Sequence, residues 1–239
     1  MVSNVVYKYC IIIISANNLL GKTMKKCLIT LVGALAILSP NTYANSINKD
    51  TILFVCGGNT GRSVMAEWYT KHIYSDVDSF SRGSGIDPND EVTTEPYAEE
   101  LILKNNDATK EEISLHRATP IALTDIYKAN IVLTMGAKYS DRLKNTIDRE
   151  CSDFNLNYSG RSFNKNQWIA MCNDKDQLKA KIYTLIGCAT GTDGDIPDAY
   201  GQNKEFYIDV RNQITQNIDE IIPTYIKTGQ CPYPIIIQK

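Results

Sequence analysis

The stretch that decides the fold is Thr51-Ile52-Leu53-Phe54-Val55-Cys56-Gly57-Gly58-Asn59-Thr60-Gly61-Arg62-Ser63. Its first five residues form a short apolar run with polar residues before it and glycines close behind, which reads as a buried strand. From Ser63 to Tyr74 the spacing turns helical, with Met65, Trp68, Tyr69 and Ile73 available for one buried face. A glycine-rich turn entering a helix aims several backbone N–H groups at one point, and the helix dipole adds positive potential there. The turn therefore reads as an oxyanion cradle, with Gly57, Gly58, Asn59, Thr60, Gly61 and Ser63 expected to bind the anion. The same field favours a thiolate at Cys56. Arg62 supplies a planar, two-pronged donor, and the Ser63 hydroxyl can donate to the sulfur. A nucleotide cradle is not indicated: Cys56 stands where its first glycine is needed, and Arg62 where its lysine is needed.

Further apolar runs follow at Val77–Ser81, Ile131–Met135 and Ile182–Ile186. Helical segments are predicted at Tyr97–Lys104, Thr119–Ala129, Ala137–Ile147 and about Lys204–Lys227. Strands alternating with helices predict an α/β fold, a three-layer sandwich whose four-stranded parallel sheet is flanked by helices. In such sheets the active crevice lies beyond the carboxyl ends of the strands. Residues 149–181 are polar and rich in Asn, break the rhythm, and read as a surface insertion.

The chain of 239 residues is 43% hydrophobic and 22% charged, which excludes a disordered chain and is ample for a core. A net charge of −2 leaves no basic surplus for a nucleic-acid backbone. Two histidines and no His/Cys cluster at ligand spacing argue against a bound metal. Residues 1–44 contain no Asp or Glu and are set apart from the domain at 45–239. Lys25-Lys26, the apolar run from Cys27 to Leu38 and the ending Thr42-Tyr43-Ala44 give a signal-peptide layout over Met24–Ala44. The run is too short to span a bilayer, so a periplasmic or secreted protein without stable membrane insertion is expected.

Cys, five residues, then Arg-Ser, between a strand and a helix, resembles the low-molecular-weight protein tyrosine phosphatases. The likeness continues in order through Val64-Met65-Ala66-Glu67, Ser81-Arg82-Gly83-Ser84, His116-Arg117-Ala118 and Ala129–Met135. It ends at Ile196-Pro197-Asp198-Ala199-Tyr200-Gly201, which is similar to that family's acid loop. The resemblance implies catalytic Cys56, Arg62 and Asp198, with Cys56 forming a phosphocysteine and Asp198 acting as general acid and then base. Asn59 would hold the loop in shape, and Tyr200 would line the mouth. The substrate would be a phosphorylated protein, phosphotyrosine above all, or a small phosphomonoester, with no cofactor.

Three departures from the family pattern stand out. The loop carries no second Cys, Ala199 replaces a proline, and Gly85–Asn89 supplies no aromatic wall. Asp195 is a reserve candidate for the acid. Arsenate reductases of the same fold are the alternative, but Met135–Ser140 lacks their relay cysteines; a non-catalytic oxyanion-binding module is the third reading. Beyond the signal-like segment lie Cys56, Cys151, Cys172, Cys188 and Cys231, an odd count that predicts one free thiol in an oxidising compartment. Cys56 is expected free, with Cys151–Cys172 and Cys188–Cys231 as the proposed pairs. His116 is expected to be a structural hydrogen-bonding residue.

Overall fold

The computed structural model describes residues 49–87, 92–152 and 165–233. The expected signal segment and the end of the C-terminal tail lie outside them. Strands β1 (Asp50–Cys56), β2 (Val77–Gly83), β3 (Ile131–Thr134) and β4 (Ile182–Thr184) form one sheet in the order β2-β1-β3-β4. Every neighbouring pair is parallel. The helices are α1 (Arg62–Ile73), α2 (Pro96–Lys104), α3 (Lys110–Ser114), α4 (Leu123–Lys128), α5 (Ala137–Ser152), α6 (Lys165–Asn173), α7 (Lys175–Ala180), α8 (Leu185–Thr190) and α9 (Lys204–Thr228).

The unbroken apolar run of β1 follows from burial on both faces. Ile52, Phe54 and Cys56 point into a core shared with α1, α2, α8 and α9. Leu53 and Val55 point into a second core, with Leu123 and Ile126 of α4, Leu143 and Ile147 of α5, and Trp168 of α6. Side chains alternate faces along a strand, so the fully covered stretch of a central strand between two helical layers is apolar at successive positions. Each such side chain contributes roughly 1.5–3 kcal/mol of burial. Helix α9 meets the first core with Val210, Ile214, Ile218, Ile221 and Ile222, a stripe at helical spacing.

Three expectations are corrected. The helix predicted from Thr119 begins only at Leu123, because Gly83 N–H donates to Thr119 O and Ile121 N–H to Gly83 O, which ties this segment to the end of β2. The run Ile182–Ile186 is not all strand: the Thr184 hydroxyl accepts the Gly187 N–H and caps α8, ending β4 after three residues. The insertion is not merely superficial: its described part, α6 and α7, buries Trp168, Met171 and Leu178 in the second core.

Both expected disulfides are formed, with Cα–Cα separations of 5.2 Å for Cys151–Cys172 and 5.0 Å for Cys188–Cys231. The first joins α5 to α6. The second joins α8 to the segment after α9. Cys56 is the free thiol.

Candidate active site

The sheet order brings the end of β1 beside the end of β3, with the helices that follow these strands on opposite faces, so the crevice opens over the turn after Cys56. A cleft of about 290 Å³ is lined there by Cys56, Gly57, Gly58, Thr60, Gly61 and Arg62, together with Asp198 and Tyr200 from the loop between α8 and α9. These eight were all expected. Asn59 and Ser63 were expected at the anion too, but they are fully buried behind the loop, because their side chains are used to hold it.

The hydrogen bonds behind the loop have a fixed direction. Asn59 Nδ2 donates to Ser63 Oγ at 3.1 Å and to Ser81 Oγ at 2.8 Å. Having accepted, Ser81 donates its proton to Glu67 Oε2, and Ser63 is left with its proton for Cys56 Sγ, 3.1 Å away. The Asn59 N–H also reaches the sulfur, at 3.2 Å. Two donors therefore converge on Cys56, an arrangement that suits a sulfur anion. The far end is closed by Lys71, whose ammonium donates to Glu67 Oε1.

Asn59 holds a positive φ of 52°, a conformation that asparagine tolerates better than most residues. Its Oδ1 accepts the Thr119 N–H, and its carbonyl lies 2.9 Å from His116 Nε2, which must carry the proton to donate. His116 is structural, as expected.

Arg62 is almost wholly buried. It donates from Nη1 to Ile196 O and from Nη2 to Tyr139 Oη, both at 3.0 Å, and Nη2 also lies 2.8 Å from Asp198 Oδ2. Asp198 is partly exposed at the mouth, and its Oδ1 accepts the Tyr200 N–H at 3.4 Å. Asp195 is committed elsewhere: its Oδ1 accepts the Ala137 N–H at the start of α5. The reserve acid is thereby set aside in favour of Asp198.

Sequence reasoning missed Glu95, Tyr139, Ile86 and Val92. Tyr139 braces Arg62, while Glu95, Ile86 and Val92 line the cleft. Glu95 immediately precedes Pro96 at the first turn of α2, a helix-start signal that says nothing of the loop it meets. Among the described residues no group of three or more His, Cys, Asp or Glu side chains could hold a metal ion, and no helix is long and apolar enough to cross a membrane.

Residues 51–158 match the family model described as low molecular weight phosphotyrosine protein phosphatase. The chain has the fold of the low-molecular-weight phosphatases. A protein-arginine-phosphatase of Bacillus subtilis (strain 168) is 24% identical over 174 residues, covering 71% of this chain and 93% of that protein. Among solved structures, an arginine phosphatase from Geobacillus stearothermophilus is 25% identical, with a TM-score of 0.53 over 75% of this chain and 94% of its own. A low-molecular-weight protein tyrosine phosphatase from Bacillus subtilis is 24% identical, with a TM-score of 0.54 over 75% and 99%. These matches support a cysteine- and aspartate-based phosphatase.

Proposed function

We propose that the protein removes phosphoryl groups from protein side chains whose leaving group is flat and delocalised: the phenol of phosphotyrosine or the guanidinium of phosphoarginine. The observation that carries the reading is the Cys56 sulfur, held by the Asn59 N–H and the Ser63 hydroxyl at the floor of a cleft whose mouth bears Asp198. Loop N–H groups and Arg62 take the phosphoryl oxygens, and the Cys56 thiolate attacks phosphorus in line. Asp198 gives its proton to the leaving atom, then takes one from the water that releases orthophosphate. The tyrosine reading is favoured by Tyr200, 75% exposed at the rim, where its ring can lie against an aryl group. The arginine reading is favoured by the names of two of the relatives.

The test is turnover of phosphotyrosine and phosphoarginine peptides by the wild type and by Cys56→Ser. Loss of all turnover in the variant supports the covalent route, and unchanged turnover refutes it. Arsenate reduction remains a distant second reading, since the loop keeps its acid while Met135–Ser140 has no cysteine. We also place the enzyme in an oxidising compartment, periplasmic or secreted. Its paired cysteines and the signal-like Met24–Ala44 segment support this, and fractionation of the expressing cell tests it.

A further inference from the structure

Glu95 is an unexpected neighbour for an anion cradle. Its N–H donates to Thr60 O at 2.8 Å, Thr60 Oγ1 donates to its Oε1, and Tyr207 Oη donates to its Oε2. Burial and the bond to Glu95 push the Tyr207 hydroxyl well above the usual tyrosine range, so it remains a donor. The carboxylate also packs over the loop at Gly61, where a Cβ would sit 2.6 Å from Oε2. The space that a side chain at position 61 would need is filled by Glu95.

Both partners of Glu95 are neutral hydroxyls, and the residue is half-buried in the wall of the cleft. The described lining contains one cation, Arg62, which is already paired with Asp198. A loop clamp needs only a hydrogen-bonding side chain, and glutamine would serve. A second carboxylate beside a phosphate site adds repulsion to every substrate unless the leaving group brings positive charge. The floor is built for an anion, and Glu95 at the mouth suits a cation. A phenol gains nothing from the Glu95 carboxylate; an N-phosphorylated guanidinium, negative at phosphorus and positive at the planar nitrogens, matches both ends.

We infer that Glu95 is a specificity-determining residue that accepts an N–H of a guanidinium leaving group, directing the enzyme to phosphoarginine over phosphotyrosine. The inference rests on the phosphatase reading above. In the reaction the P–N bond breaks as the S–P bond to Cys56 forms, and the Asp198 proton passes to the departing nitrogen. Water then breaks the S–P bond, giving orthophosphate, the thiolate and a reprotonated Asp198, with arginine restored in the substrate.

The test measures kcat/KM for a phosphoarginine peptide and for p-nitrophenyl phosphate in the wild type and in Glu95→Gln. The ratio of the two constants should fall about ten- to a hundredfold in the variant, the range of one hydrogen bond to a charged group. An equal loss on both substrates would make Glu95 a loop clamp only and overturn the inference, as would an unchanged ratio. Glu95→Asp serves as the second variant if Glu95→Gln does not fold: it keeps the charge and should keep the preference, and loss of the preference there also counts against the proposal. A wild type that hydrolyses neither substrate would instead defeat the phosphatase reading itself.

Discussion

Arg62 Nη2 and Asp198 Oδ2 lie 2.8 Å apart across the cleft, so the cation that meets phosphate is ion-paired with the acid that serves the leaving group. Substrate must compete for that guanidinium. The pair spans a nearly buried Arg62 and a half-exposed Asp198, so solvent screens it and the competition is winnable.

Replacing Asp198 by Asn should therefore do two opposite things. Turnover should fall about 10²- to 10⁴-fold through loss of proton transfer. Orthophosphate should inhibit more tightly, because Arg62 has lost its internal competitor. Steady-state kinetics with phosphate as inhibitor measures both, and unchanged turnover would remove Asp198 from the mechanism.

Tyr139→Phe removes an acceptor from Arg62 Nη2 while keeping the buried ring. We expect kcat/KM to drop about tenfold, with a melting temperature close to that of the wild type. A large fall in melting temperature with normal kinetics would make Tyr139 a packing residue only.

Asn59→Ala places a residue without hydrogen-bonding capacity at φ 52° and strands Thr119 N–H, Ser63 and Ser81. Urea unfolding should show a loss of about 2–4 kcal/mol. Orthophosphate affinity should fall with it, because the sulfur and the loop share this anchor.

Reduction should separate stability from chemistry. Cys188 and Cys231 are 43 residues apart and Cys151 and Cys172 are 21 apart, worth about 4 and 3 kcal/mol on chain-entropy grounds. Dithiothreitol should lower the melting temperature while leaving turnover by Cys56 intact below it. Five free thiols by mass spectrometry without reductant would remove both the pairing and the argument for export.

Lys181 gives the pH prediction. Burial lowers its pKa from the usual lysine range to about 8, while its ammonium donates to Tyr127 O and Ala129 O. Between about pH 8 and the ordinary lysine value the unfolded chain binds the extra proton, so this residue makes stability rise with pH across that window. Below pH 8 both states are protonated and its contribution is constant. Urea unfolding of Cys56→Ser, which avoids thiol exchange, should show the rise, and Lys181→Met should flatten it.

The parts of the molecule that were legible in the sequence are local. The turn from Cys56 to Ser63 states its chemistry in consecutive residues, and β1 declares its double burial by the unbroken apolar run Ile52–Val55. Asp198 could be read because Ile196–Gly201 keeps a recognisable pattern. Glu95 and Tyr139 could not, since they meet the loop across 35 and 77 residues of chain and neither carries a motif. Helix α3 went unpredicted although Thr109 and Glu112 form a capping box at its start, since five residues leave almost no periodicity to detect. Trp168 was hidden by the Asn-rich stretch before it: its one partner at helical spacing is Met171, three residues on, and two positions are too few to set a period, yet both fill the second core.

The bond between Cys188 and Cys231 encloses the whole stretch that bears Asp198, along with α9. A protease that nicks the backbone between Gly191 and Asn203 would leave two fragments still covalently joined. They would migrate as one band until the sample is reduced, and the acid would stay tethered near its thiolate after the backbone is cut.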